Sequence, residues 1–281
     1  MDGRTVLITG GNTGIGLETA VALARDGARV VFTTRNAQKG ATALAEIRER
    51  SGSDTVDVME LDLARLASVH EFADRFAGQQ DHLDVLVNNA GLLLGSRRET
   101  VDGYEMTFQV NHLGPFLLTQ LLRDQLVAGD DARVVNVASD AHKAARRGLD
   151  FDDLQSTKKY RSYGVYGKSK LANILYTREL ARRWNDTGVT ANAVHPGFVA
   201  SRFGRDGDSG KLTGWVFPLL KPFALSPEQG AATQVYVASA PELAGITGGY
   251  WVKSAPAPPS AAAQDDAAAA RLWEISEQLV A

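Results

Sequence analysis

The residues Val6-Leu7-Ile8-Thr9-Gly10-Gly11-Asn12-Thr13-Gly14-Ile15-Gly16 decide the fold. Val6 to Ile8 is a short apolar run of the kind a fully buried parallel strand shows. Gly10 and Gly11 end it, and from Ile15 to Arg25 apolar residues such as Ile15, Ala22 and Leu23 recur at helical spacing. In a strand–turn–helix unit, glycines let backbone N–H groups approach a pyrophosphate, and the helix N-terminus adds partial positive charge. The spacing is T-G-x-x-x-G-x-G rather than G-x-G-x-x-G. A glycine pattern alone is weak evidence, since it also describes a plain turn with no ligand.

Working outward, the same alternation continues. Arg29 to Thr34 reads as a strand, Ala41 to Arg50 as a helix, Val56 to Leu61 as a strand and Val69 to Phe76 as a helix. Leu83 to Val87 is a strand followed by Asn88-Asn89-Ala90-Gly91, and one long helix is expected from about Tyr104 through Pro115 to Leu126. Arg133 to Val137, Val189 to Val194 and Gly249 to Val252 read as strands, Ser169 to Trp184 and Pro227 to Ser239 as helices. Strict βα alternation implies an α/β fold, a Rossmann-type doubly wound parallel sheet of about seven strands with helices on both faces, in a single domain. Residues 1–253 form that domain. Residues 254–281 form an Ala/Pro-rich extension, with a linker from Ser254 to Ala270 and a short amphipathic helix from Arg271 to Val280. Two long connections, about 139–166 and 197–226, follow the carboxyl ends of strands, where open α/β sheets bind ligands.

Composition narrows the function classes. The 281 residues carry 30 Lys+Arg against 33 Asp+Glu, a formal net charge of -3, so no nucleic-acid footprint is present. With Cys 0, disulfides, thiolate catalysis and cysteine–zinc sites are excluded, and His 5 without supporting carboxylate spacing gives no metal site. The N-terminus lacks signal-peptide order, and no run reaches the ~20 apolar residues of a membrane span. The expectation is a cytoplasmic protein with no transmembrane segment.

Chemistry concentrates in two further places. At the end of the second strand a NAD binder usually has an acid for the ribose 2′-OH. Here stand Thr33-Thr34-Arg35-Asn36. Guanidinium pairs bidentately with phosphate, so Arg35 favours NADP(H), with NAD(H) the alternative. Lys39 either assists or lies on a helix surface. Ser139 ends a buried strand with a hydroxyl, and Tyr166 and Lys170 fall at i and i+4 on one helical face. An ammonium beside a phenol favours the phenolate and brings a tyrosine from its reference of ~10 toward working pH. Such a tyrosine can exchange a proton with a carbonyl/alcohol pair. Asp140 and His142 beside Ser139 suggest a hydrolase, but no G-x-S-x-G elbow is present.

Taken together, Thr9–Gly16, Asp62, Asn88-Asn89-Ala90-Gly91, Asn111, Ser139, Tyr166/Lys170 and Pro196-Gly197 resemble, over nearly the whole chain, the short-chain dehydrogenases/reductases of the classical subtype. Gly11–Gly16, Arg35, Val110–Phe116 and the tail Leu272–Glu277 are similar to its retinol-dehydrogenase-like branch. The resemblance implies a catalytic set of Asn111, Ser139, Tyr166 and Lys170, with Asn111 holding a water that links Lys170 to solvent. It implies that Gly10, Asn12, Thr13, Gly14, Ile15 and Gly16 form the pyrophosphate turn, and that Asp62 and Leu63 flank the adenine. Asn89, Ala90 and Gly91 line the ribose side, where Lys170 and Tyr166 also reach. Pro196, Gly197 and Val199 pack by the nicotinamide, with Ser201 standing where many members have Thr.

The activity so implied is NADP(H)-dependent interconversion of a carbonyl and an alcohol on a hydrophobic small molecule. Leu92, Leu93, Leu94, Phe203, Trp215, Val216, Phe217, Leu219, Leu220 and Phe223 are apolar candidates for pocket and lid, or for core packing. The alternative is a non-catalytic NADP-binding redox sensor or scaffold, against which all four catalytic positions are filled. An extended-subtype epimerase needs a larger C-terminal domain. Family habit implies a homodimer through the long helices, which the C-terminal segment either blocks or extends.

Overall fold

A computed structural model describes residues 1–199 and 224–281. Its centre is one sheet in which buried apolar segments lie side by side: β1 (Thr5–Ile8), β2 (Arg29–Thr34), β3 (Val56–Glu60), β4 (Val85–Asn88), β5 (Arg133–Val137), β6 (Thr190–His195), β7 (Tyr250–Val252) and β8 (Ala255–Pro256). The spatial order is β3-β2-β1-β4-β5-β6-β7-β8. All pairings are parallel except β7 with the short β8, which adds an eighth strand to the seven expected. Lys253 and Ser254 make the turn into β8 at φ 52 and φ 58, the positive values that two-residue hairpin turns demand. The strand order reverses between β1 and β4, the crevice where sheets of this kind receive ligands.

Helices cover both faces. One layer contains α1 (Gly14–Arg25) and α2 (Ala37–Ser51), whose Leu17, Val21, Ala43 and Ile47 bury against β1 and β2. The other contains α3 (Leu66–Ala77), α4 (Met106–Phe108), α5 (Gly114–Leu121), α6 (Arg123–Val127) and α7 (Ser162–Arg183). The single helix expected from Tyr104 to Leu126 is therefore interrupted twice. A π-helical turn occupies Gln109–Leu113, and Leu122, at φ -94 and ψ 14, separates α5 from α6. Helix α7 starts at Ser162, seven residues before Ser169, so Tyr166 lies inside it. Helix α8 (Pro227–Ser239) matches its reading because Ser226 and Gln229 form a reciprocal capping box.

A buried polar ladder holds α5 and α7 to the sheet. Asn88 Nδ2 donates to Asn136 Oδ1 at 2.9 Å and to Thr119 Oγ1 at 3.1 Å, and Asn136 Nδ2 donates to Thr177 Oγ1 at 2.9 Å. Asn88 is thus a strand residue paired with Asn136 across β4 and β5.

The segment read as a linker is ordered: after β8 come a 3-10 turn, Ala261–Gln264, and α9 (Asp266–Val280), capped by Asp265. Its alanines are strong helix formers. Helix α9 inserts Trp273, 3% exposed, edge-on to Phe116 at 5.0 Å and stacked on Tyr176 at 5.8 Å. Among the described residues no helix is long and apolar enough to cross a membrane.

Removal of an aromatic from this layer leaves a cavity that α9 cannot close. Trp273→Ala is expected to lower unfolding free energy by about 3–5 kcal/mol in urea titrations.

Candidate active site

The turn after β1 is built around Thr9, which is fully buried. Its hydroxyl accepts from the backbone N–H of Asn89 and of Ala90, each at 3.0 Å, tying the ends of β1 and β4 together. Asn89 Nδ2 donates back to the Thr9 carbonyl at 2.9 Å. Gly10 N donates to Thr33 Oγ1 at 3.3 Å and Gly11 N to the Thr33 carbonyl at 3.1 Å, so β2 holds the turn's other side. Gly10 and Gly14 take φ 66 and φ 57, where a side chain is strained. A Cβ on Gly16 would lie 2.5 Å from both Asn89 Nδ2 and the Gly10 carbonyl. Thr13, the residue before α1, makes no side-chain cap and the first turn carries no acid. The open N–H groups of α1 and the side-chain-free approach over Gly10 and Gly14 fit a dinucleotide pyrophosphate.

The remaining predicted cofactor contacts follow β2, β3 and β6 in the chain. Arg35 is exposed just past β2 and makes no hydrogen bond or ion pair among the described residues. Asn36 beside it caps α2 by accepting from Lys39 N at 2.8 Å. Asp62 follows β3 and accepts from Ala64 N at 3.0 Å. Leu63 is buried against Gly114, with its carbonyl accepting from Gln109 Nε2 at 3.4 Å. Gly197 takes φ 86, and Val199 bridges to Leu225. A Cβ on Gly230 would meet Val199 at 2.5 Å and Ile15 at 3.3 Å, which packs the segment after β6 against the turn after β1. Ser201, Phe203, Trp215, Val216, Phe217, Leu219, Leu220 and Phe223 lie outside the described residues.

Ser139, Tyr166, Lys170 and Asn111 come together at the carboxyl ends of β4 and β5. Ser139 caps the 3-10 turn Asp140–Ala144, its Oγ accepting from Ala141 N at 3.2 Å. Burial pushes the half-buried Tyr166 phenol up to about 12, opposite to the downward shift expected from Lys170, while a hydrogen bond from the Ser139 hydroxyl pulls it back. Lys170 is 3% exposed, and burial pushes its amine down to about 8. Its Nζ donates to the Val137 carbonyl at 2.8 Å and stands 5.6 Å from the Tyr166 ring centroid. The amine thus faces the ring and the end of β5.

Asn111 sits in the π-helical turn, 1% exposed. Its Nδ2 donates to the Leu92 carbonyl and to Ser169 Oγ, each at 2.9 Å, and its Oδ1 accepts from Leu92 N at 2.8 Å. A Cβ on Gly91 would lie 3.3 Å from Asn111 Oδ1 and 3.4 Å from Lys170 Nζ, so three elements converge on one point. Leu94 belongs to the interior at 2% exposure, its carbonyl held by the Tyr160 hydroxyl at 3.2 Å. Leu92 and Leu93 are half-buried.

Sequence reasoning missed Thr9 as a positioning residue, although the threonine before the first glycine was in view. It also missed the π turn, because residues 107–119 are all buried and show no one-sided periodicity to break. Among the described residues no group of three or more His, Asp or Glu side chains could hold a metal ion.

The family model for short chain dehydrogenases matches residues 4–150 and 153–211. Retinol dehydrogenase 12 of Mus musculus is 45% identical over 278 residues, covering 99% of this chain and 86% of that protein. Among solved structures, an uncharacterised protein from Mycobacterium paratuberculosis superposes with a TM-score of 0.78 at 35% identity, covering 99% of this chain and 94% of the other. The Pseudomonas aeruginosa RhlG/NADP active-site complex superposes with a TM-score of 0.71 at 27% identity, covering 90% of this chain and 95% of the other. A crevice with this glycine turn and this fold defines a nicotinamide-dependent oxidoreductase, and the chain belongs to the short-chain dehydrogenase family. It is an enzyme acting on CH–OH donors, interconverting carbonyl and alcohol on small molecules.

Proposed function

We propose that the protein is an NADP(H)-dependent reductase of hydrophobic aldehydes or ketones in the cytoplasm, with Tyr166 as its acid. The observation that carries this reading is the meeting of the Ser139 hydroxyl, the Tyr166 phenol and the Lys170 amine at the end of β5. The cofactor, when bound, supplies the hydride. Gly10, Asn12, Thr13, Gly14, Ile15 and Gly16 bind its pyrophosphate, Asp62 and Leu63 its adenine, and Asn89, Ala90 and Gly91 its ribose side. Pro196, Gly197 and Val199 would hold its nicotinamide end.

Tyr166, protonated throughout the neutral range, gives its proton to the carbonyl oxygen, and Ser139 hydrogen-bonds the same oxygen. Loss of that proton leaves a phenolate, which the Lys170 charge stabilises below pH about 8. Asn111 holds the water through which Lys170 exchanges a proton with solvent. The Arg35 guanidinium, which has no partner among the described residues, and the absence of an acid there support a 2′-phosphate over a bare ribose. The retinol dehydrogenase relatives support a lipophilic substrate, as do the half-buried Leu92 and Leu93 near the crevice. A homodimer is the family-derived reading of its assembly, with α9 on α7 narrowing the face left for it.

Two substitutions test the roles. Tyr166→Phe is expected to bind NADPH as the wild type does in a fluorescence titration yet lose at least about 100-fold in turnover on apolar aldehydes and ketones; retained turnover removes Tyr166 from the chemistry. Arg35→Ala is expected to raise KM for NADPH about 10-fold or more while leaving KM for NADH unchanged. Equal effects on both cofactors remove Arg35 from 2′-phosphate recognition.

A further inference from the structure

We propose that His142 is a positioning residue that fastens the C-terminal segment to the turn presenting Ser139. The inference rests on the roles of Ser139 and Tyr166 given above. His142 is fully buried and lies three residues after Ser139 in the 3-10 turn. Its Nδ1 contacts the Ser139 carbonyl at 2.7 Å, and its Nε2 accepts from Ser260 N at 3.1 Å. The carbonyl only accepts and the amide only donates, so one neutral tautomer, protonated at Nδ1, satisfies both. The Tyr250 ring meets the imidazole edge-on at 5.3 Å, and its hydroxyl donates to Asp140 Oδ1 at 3.3 Å. The turn also rests on α7 next to Tyr166, where a Cβ on Gly167 would lie 2.6 Å from the Ala141 carbonyl.

The same segment reaches the other site-bearing turn through a second imidazole, with the hydrogen bond reversed. His112 follows Asn111 in the π turn, and its Nε2 contacts Ser276 Oγ at 2.9 Å. The Ser276 hydroxyl donates to the Leu272 carbonyl at 2.7 Å, so the imidazole is the donor. The Tyr104 hydroxyl donates to the Leu279 carbonyl at 2.6 Å nearby. Residues 256–280 therefore brace, from behind, both turns that carry Ser139 and Asn111. The brace at Ser139 requires a neutral His142, because a proton on Nε2 opposes the Ser260 N–H. Burial, the first cause, lowers the His142 pKa from its ordinary value, which keeps the ring neutral. Asp140 and Lys143 of its own turn, His195 of β6 and Tyr250 of β7 are the ionisable groups facing it.

Ser260→Pro tests the brace in the full-length chain. Ser260 has φ -61, which proline adopts without strain, so the change deletes the N–H and leaves His142 intact. His142→Gln is the second variant: it keeps a long-reaching acceptor toward Ser260 and loses the donor to the Ser139 carbonyl. Hydrogen exchange of amides 139–144, and kcat and KM for NADPH-driven carbonyl reduction, are read on both.

Both variants are expected to exchange faster over 139–144. Their kcat is expected to fall about 10-fold for Ser260→Pro and up to about 100-fold for His142→Gln, with KM for NADPH held within about 2-fold. Wild-type exchange over 139–144 in Ser260→Pro overturns the proposal, as does a wild-type kcat in His142→Gln. If the wild type itself reduces no carbonyl, the functional reading fails, and the exchange measurement alone decides whether the brace exists.

Discussion

The buried amine of Lys170 is the constraint around which the site is arranged. An ammonium taken out of water is costly unless hydrogen-bonded, and here the Val137 carbonyl, at the end of β5, provides that bond. The same carbonyl accepts from Asn173 Nδ2 at 3.2 Å, so α7 is fastened to β5 by two of its side chains. Tyr166, one helical turn earlier, inherits its position from that attachment. Both groups are pushed toward their neutral forms by burial, Lys170 downward and Tyr166 upward. Whatever leaves negative charge on Tyr166 is therefore matched by a base that can carry positive charge at neutral pH.

The cofactor half of the crevice depends on a different device. Thr9 welds the turn after β1 to the turn after β4 with its hydroxyl, and Asn89 returns a bond to the Thr9 carbonyl. Deeper in the sheet, Asn88, Asn136, Thr119 and Thr177 form a ladder that fixes α5 and α7 over β4 and β5. The phosphate turn and the Tyr166 helix thus refer to the same pair of strands. Such networks set geometry as much as stability, because every buried polar member left unpaired is costly.

Much of this was legible in the residues, for definite reasons. Parallel strands buried on both faces show as apolar runs, and Val134, Val135 and Val137 bound Arg133–Val137 correctly although Arg133 and Asn136 interrupt the run. Pro227–Ser239 was bounded correctly because its start carries a full capping box. Helix α7 was read too short because its first turn includes Gly164 and its preceding residue, Arg161, offers no side-chain cap. The π turn is invisible because residues 107–119 are buried on every side, so no one-sided apolar stripe exists for an extra residue to shift, although the turn carries Asn111, which pairs with Leu92. Residues 254–270 read as a linker on their alanine and proline content, whereas β8, a 3-10 turn and the start of α9 occupy them, with Ala263 and Ala269 buried; the helix read over Arg271–Val280 is the rest of α9. His142 reads only as a hydrolase hint, and the roles of His142 and His112 in bracing the tail give no signal, because their partners, Ser260 and Ser276, are distant in sequence and have no characteristic spacing.

The most direct test of this arrangement is an NMR titration of the Lys170 side-chain nitrogen in the wild-type chain. A desolvated amine held on the Val137 carbonyl is expected to titrate at about 8. Titration at the ordinary lysine value of about 10.4 would contradict the account, since it would show that burial does not disfavour the cation at this position.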